Sequence, residues 1–174
     1  MAIPTQSELL ESVLEAYESE YKDLLESWRV LETKAQALST TAGVFIAAAF
    51  AFARDLAPGV GLPLKAGLTC AVVLLLLATS LGVAALVIRA VRDPLGGSGI
   101  LELVDDLVRV STPEDAELRY CNYLRDRAGA WESSLTTFRA ANRAKSRRIA
   151  VGQVCLLCAA SFVAGLVVRS ILSR

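Results

Sequence analysis

Histidine is absent from all 174 residues. Its absence removes zinc sites built on imidazole, histidine general acid–base catalysis and the usual hydrolase triads. Cysteine is scarce, with four in the chain: Cys70, Cys121, Cys155 and Cys158. No disulfide framework is indicated. Cys155 and Cys158 form a C-x-x-C, but inside an uncharged run, where they read as small packing residues rather than a redox or metal pair. Net charge is also missing, because 18 basic residues cancel 18 acidic ones. The polar, acidic N-terminal stretch has no apolar h-region, so no secretory signal peptide is expected. Neither a Walker loop nor a dinucleotide fingerprint occurs; Gly96-Gly97-Ser98-Gly99 is the nearest approach to a phosphate cradle and reads as a linker.

Long uncharged runs are present, and they set the class. Hydrophobic residues make up 54% of the chain. The runs are Ala35–Ala53 (19 residues), Ala66–Ile88 (23) and Ile149–Val168 (20). As helices rising about 1.5 Å per residue, each can cross a hydrocarbon core of about 30 Å. The expected fold is an all-α membrane protein with three transmembrane helices and a cytosolic helical stalk. None of the runs holds a carboxylate, lysine or arginine, so proton-coupled transport and a charge-lined ion path have no basis. Spacings of four align small residues: Gly43, Ala47 and Ala51; Ala78 and Gly82; Ser161 and Gly165. Such faces allow close helix packing, within one chain or between several.

The divisions follow from charge and from breakers. Residues 1–34 form an N-terminal amphipathic helix, 35–53 the first span, 54–65 an external turn rich in Pro and Gly, and 66–88 the second span. Residues 89–148 form a cytosolic helical insert, 149–168 the third span and 169–174 a short external tail. The first helix carries a heptad stripe of Leu10, Leu14, Tyr17, Tyr21, Leu24, Trp28, Leu31, Ala35 and Leu38. Docking on its own protein and self-assembly both satisfy that stripe. In the insert, Ile100, Leu103, Val104 and Leu107 mark a short amphipathic helix after the Pro94–Gly99 break. Thr112 as N-cap and Pro113 at the first position start a longer helix, whose stripe runs through Cys121, Leu124, Ala128, Trp131, Leu135 and Phe138.

Charge also suggests orientation. Residues 1–34 hold eight acids and three bases, and residues 89–148 eleven bases and nine acids. Arg89 and Arg92 follow the second span, and Arg143, Lys145, Arg147 and Arg148 precede the third, which puts both ends in the cytosol. Arg54, Lys65, Arg169 and Arg174 oppose this, so the bias is modest. The first span then reads as a retained anchor with the N-terminus inside.

Candidate ligand chemistry lies in the insert. Arg119, Tyr120, Tyr123, Arg125 and Arg127, with Arg139 and Arg143 further on, combine guanidinium groups with rings that could clamp a phosphate and stack a base. Helical spacing disperses them, and a solvated face accounts for the same pattern. The Arg139–Arg148 cluster also reads as a lipid-headgroup anchor. Tyr17, Tyr21, Leu24, Trp28 and Trp131 are the candidate stalk or oligomer packing residues.

The order of parts resembles the membrane effectors of the Pycsar family, bacterial antiphage proteins associated with cyclic-pyrimidine-nucleotide signalling. That family places an amphipathic helix before a D-x-K-A element at the first span. Glu32-Thr33-Lys34-Ala35 stands there in this chain, with Glu where the family more often has Asp. Lys145 occupies the position of a lysine on the helix entering the last span. The residues alone give a simpler account of the first element, with Lys34 snorkelling to headgroups and Glu32 on the same side. The resemblance implies a non-enzymatic, homo-oligomeric effector in the bacterial inner membrane. It would need no cofactor or nucleic acid and would respond to a cyclic nucleotide from a neighbouring cyclase by disrupting the bilayer, through a pore or otherwise. The alternative is a membrane scaffold whose heptad helix binds a partner.

Overall fold

The computed structural model describes residues 5–55, 62–88, 104–106, 108–109 and 112–172. Three long helices dominate: α1 (Gln6–Asp55), α2 (Leu62–Val87) and α3 (Pro113–Leu172). No strand occurs among the described residues. Each helix contains a run long and apolar enough to cross a membrane, with mean hydropathy of 1.5, 2.6 and 2.2 in chain order. Only 22, 28 and 11% of those runs is buried by the protein, so most of their apolar surface needs a non-aqueous environment. This is the architecture of a multi-pass membrane protein.

Both long helices start on side-chain caps. The Thr5 hydroxyl accepts from the Glu8 N–H (3.4 Å) while Glu8 accepts from the Thr5 N–H (2.7 Å), a reciprocal capping box. Thr112 caps α3 by accepting from the Asp115 N–H (3.3 Å), with Pro113 at the first helical position as expected.

The chain divides into two compact units, Met1–Ser27 with Ala90–Ala141 and Trp28–Arg89 with Asn142–Arg174. In the first, α1 and α3 run parallel: Ser7 pairs with Glu117, Glu11 with Tyr120 and Tyr21 with Trp131, the numbers rising together. Cys121, Leu124, Trp131, Leu135 and Phe138 are buried, while Leu10, Leu14, Tyr17, Tyr21 and Leu24 are half-buried. Tyr21 sets its edge against Trp131 (5.4 Å between centroids) and leans on Phe138 (5.6 Å). Such pairs add about 0.5–1.5 kcal/mol beyond their area. The Arg139 guanidinium forks onto Glu20 at 2.7 and 2.6 Å.

In the second unit α2 runs against α1 and α3. Ala84 meets Arg148, Ala78 the backbone at Gly152 and Gly67 the Leu166 side chain, one number falling as the other rises. The core is built from small residues: Ala35, Ala85 and Ile149 in one cluster, and Leu38, Ala42, Leu75, Ala78, Cys155 and Ala159 in another. The tightest approaches are at two glycines. A Cβ at Gly82 would run into Ser39 Oγ and lie 3.2 Å from the Ala35 carbonyl oxygen; one at Gly152 would stand 2.6 Å from Leu38 Cδ2.

Several boundaries shift from the sequence reading. α1 carries on to Asp55 and α2 begins at Leu62, so 54–55 and 62–65 of the expected 54–65 turn are helical, and the rest lies outside the described residues. α3 stays helical to Leu172, through most of the expected 169–174 tail. Residues 104–106 are helical, but most of the short amphipathic helix and the Gly96–Gly99 loop lie outside the described residues. The small-residue faces divide between the two uses. Ala78 and Gly82 pack inside, but Gly43, Ala47, Ala51, Ser161 and Gly165 are exposed, and a Cβ on Gly43 or Gly165 meets nothing within 4 Å. A spacing of four selects a face without saying which face the neighbouring helix takes. The face taken holds Ala35, Ala42 and Ala49, seven apart.

Gly82→Val is expected to lower stability by about 1–3 kcal/mol through overpacking, whereas Gly43→Val stays within about 0.5 kcal/mol. Thermal unfolding of both variants in detergent checks the contrast.

Candidate functional site: a buried lysine against Trp28 and Glu32

The heptad row of α3 is Leu124, Trp131, Phe138, Lys145, Gly152 and Ala159, all of them buried. A lysine thus stands where the pattern calls for an apolar residue, and its side chain is 0% exposed. Its ammonium lies 3.7 Å from the centre of the Trp28 ring and 3.3 Å from Glu32 Oε1. The Trp28 indole Nε1–H donates to that same oxygen at 2.9 Å. Trp28 and Glu32 are one turn apart on α1, so one helix face supplies both the ring and the carboxylate.

Burying an ammonium costs several kcal/mol even after relaxation. A desolvated cation–π contact returns about 2 kcal/mol, and the carboxylate supplies the countercharge. Glu32 is only half-buried, with 42% of its side chain exposed, so the group joins a dry lysine to solvent through one residue. One turn further along α1 and α3, Ala35, Ala85 and Ile149 form a buried cluster, and the Arg148 guanidinium donates to the Ala84 carbonyl in the last turn of α2 (2.9 Å).

Of the four residues that carry the resemblance, Glu32, Ala35 and Lys145 are in this unit's core or at its edge, while Lys34 is exposed. Beyond sharing a side of the interface with Lys34, Glu32 accepts from Lys145 at 3.3 Å. Extending the row from Leu124 through Phe138 by seven lands on Lys145, which the sequence reading takes as a charge beside the span and a counterpart of the family lysine rather than as a buried heptad residue.

Within the first unit the ligand candidates do not gather into one site. Arg119 and Arg125 are exposed, Arg139 is bound to Glu20, and Arg143 is exposed in the second unit. Arg127 donates to the Tyr123 hydroxyl (2.9 Å). Tyr120 and Arg127 line a groove of about 290 Å³ with Glu11, Glu15, Glu18 and Trp131. Three carboxylates against one guanidinium make this groove better suited to a cation than to a phosphate. Lys22, hydrogen-bonded to Glu18, holds that carboxyl below its usual range, with Arg127 adding to the effect. Tyr120 donates to Glu11 (2.7 Å), and that bond together with partial burial raises the phenol above its ordinary value of 10.0.

All four cysteines are free thiols: Cys121 and Cys155 are buried, Cys70 and Cys158 exposed. Cys155 belongs to the core, as expected of a packing residue, whereas Cys158, read the same way, is exposed. Among the described residues no cluster could hold a metal ion. The helices and this buried lysine define a helical protein of membrane type with an ionic contact at the edge of its apolar core. No family model, curated protein or solved structure matches the chain.

Glu32→Ala should lower stability by about 2–3 kcal/mol, less than the roughly 3–5 of a fully buried pair because Glu32 is half exposed. Lys145→Met should change it by less than about 1 kcal/mol, since an apolar side chain of similar volume replaces the charge. Unfolding curves in detergent compare the two. The Tyr120 bond contributes about 1 kcal/mol. Because the folded-state pKa is raised, that contribution holds below pH 10 and disappears as pH rises through the folded value. Tyr120→Phe should remove this alkaline step from a pH-stability profile.

Proposed function

We propose that this chain is a membrane-embedded antiphage effector of the Pycsar type, resident in the bacterial inner membrane with its N-terminus in the cytosol. The cytosolic part receives a cyclic nucleotide signal, and a homo-oligomer rearranges and disrupts the bilayer. One observation carries most of the weight: α1 and α3 each join a polar, amphipathic stretch to a membrane-length apolar run in one unbroken helix. A ligand can shift such a protein only by binding its two states differently. Arg119 and Arg125 remain exposed to solvent, where a phosphate can reach them. Outward-facing Gly43, Ala47 and Ala51 offer a small-residue face for a second chain. The basic residues Arg143, Arg147 and Arg148 are exposed beside the third apolar run, which supports the N-inside orientation.

The scaffold alternative rests on the heptad stripe of α1. That stripe is buried or half-buried within the chain's own units from Leu10 to Leu38, which leaves less of it for a partner.

The test is induction in bacteria with and without cyclic UMP or cyclic CMP synthesis, following membrane potential by dye. The effector reading expects depolarisation only with the signal. An unchanged potential, with the protein intact in the membrane, would overturn it.

A further inference from the structure

We infer that Lys145, Trp28 and Glu32 form a releasable latch between α1 and α3 that holds the resting conformation of the second unit. The inference deepens the effector reading and rests on it for the identity of the released state. Three observations carry it.

The first is that the contact is poorly chosen for stability alone. A fully buried ammonium with one carboxylate oxygen at 3.3 Å bears a desolvation penalty that an apolar residue of the same volume would avoid. A single lysine on a heptad row is a known way to fix helix register at the expense of stability. Elsewhere the α3 row is apolar from Leu124 to Ala159, so Lys145 departs from an otherwise consistent pattern.

The second observation is that both stabilising contacts come from one turn of one helix. Trp28 and Glu32 are four residues apart, and Glu32 Oε1 receives both the indole N–H and the lysine. A slide or rotation of α1 against α3 therefore removes the ring and the carboxylate together. The contact breaks as a unit, which gives two discrete states rather than a graded loosening.

The third is that the two ends of the latch differ in exposure. The lysine is dry, but Glu32 is 42% exposed. Water or a competing cation can reach the carboxylate first, and a lysine deprived of its countercharge is driven towards solvent.

The test uses the full-length protein in membrane vesicles and an amine-acetylating reagent, with modification at each lysine read by mass spectrometry. Lys22 and Lys34, both exposed, serve as internal references. In the wild type Lys145 should be modified at least tenfold more slowly than either. Glu32→Gln should bring it to within threefold of them. In cells, Glu32→Gln should depolarise the membrane without any signal, and Lys145→Met should block depolarisation when cyclic UMP or cyclic CMP is made. Thermal unfolding of Lys145→Met and of the double variant Glu32→Gln/Lys145→Met guards against misfolding, and both should melt within a few degrees of the wild type. If Lys145 stays protected in Glu32→Gln, or is modified as fast as Lys34 in the wild type, the latch is wrong whatever the protein does to membranes. If Glu32→Gln unmasks Lys145 but no variant depolarises cells, the latch stands and the effector reading falls.

Discussion

Side chains seven residues apart organise both long helices. On α1 the row reads Leu14, Tyr21, Trp28, Ala35, Ala42 and Ala49; on α3 it reads Leu124, Trp131, Phe138, Lys145, Gly152 and Ala159. The spacing keeps one seam of each helix facing its neighbour. What fills the row changes along it. In the first unit the fillers are aromatic and aliphatic, which suits a seam in water where buried area is the main source of stability. In the second, past Trp28 and Lys145, they are alanine and glycine. Association in lipid gains little from hydrophobic burial and depends on close backbone approach. Ala35, Ala78 and Gly82 fit that second regime, and Tyr21 with Trp131 and Phe138 the first.

Lys145 occupies the position on the α3 row where the large residues give way to the small ones. A large apolar residue there would continue one pattern and a small one would continue the other. The lysine does neither, and Trp28, which ends the aromatic part of the α1 row, is the residue that accepts it. Indole is the best of the three aromatic rings at accepting a cation, and its N–H also holds the carboxylate that completes the contact. The aromatic residue thus packs and solvates at once.

Much of the fold was legible in the residues. The three apolar runs, the Thr112–Pro113 start and the stripe from Cys121 to Phe138 depend on local composition and period, and the structure holds them close to where the sequence put them. The small-residue faces were not legible in the same way. Gly43, Ala47 and Ala51 share a face by their spacing of four, but Ala42 and Ala49 continue the seven-residue row from Ala35, and it is that row the neighbouring helices take. The ligand candidates met a related difficulty. Arg139 and Arg127 look alike in sequence, yet one is held by a glutamate over a hundred residues away and the other by a tyrosine one turn back.

By itself the sequence determined that the chain is helical, that three of its segments suit hydrocarbon better than water, and where its longest helix begins. These follow from hydropathy and capping, which act within a few turns of backbone. Tertiary structure decided which partner each charge finds. Glu32 and Lys145 are more than a hundred positions apart, and their pairing depends on the parallel register of α1 and α3 rather than on anything local to either. A buried charge is stable only with its countercharge in reach, so register and charge fix one another, and only the folded chain contains both.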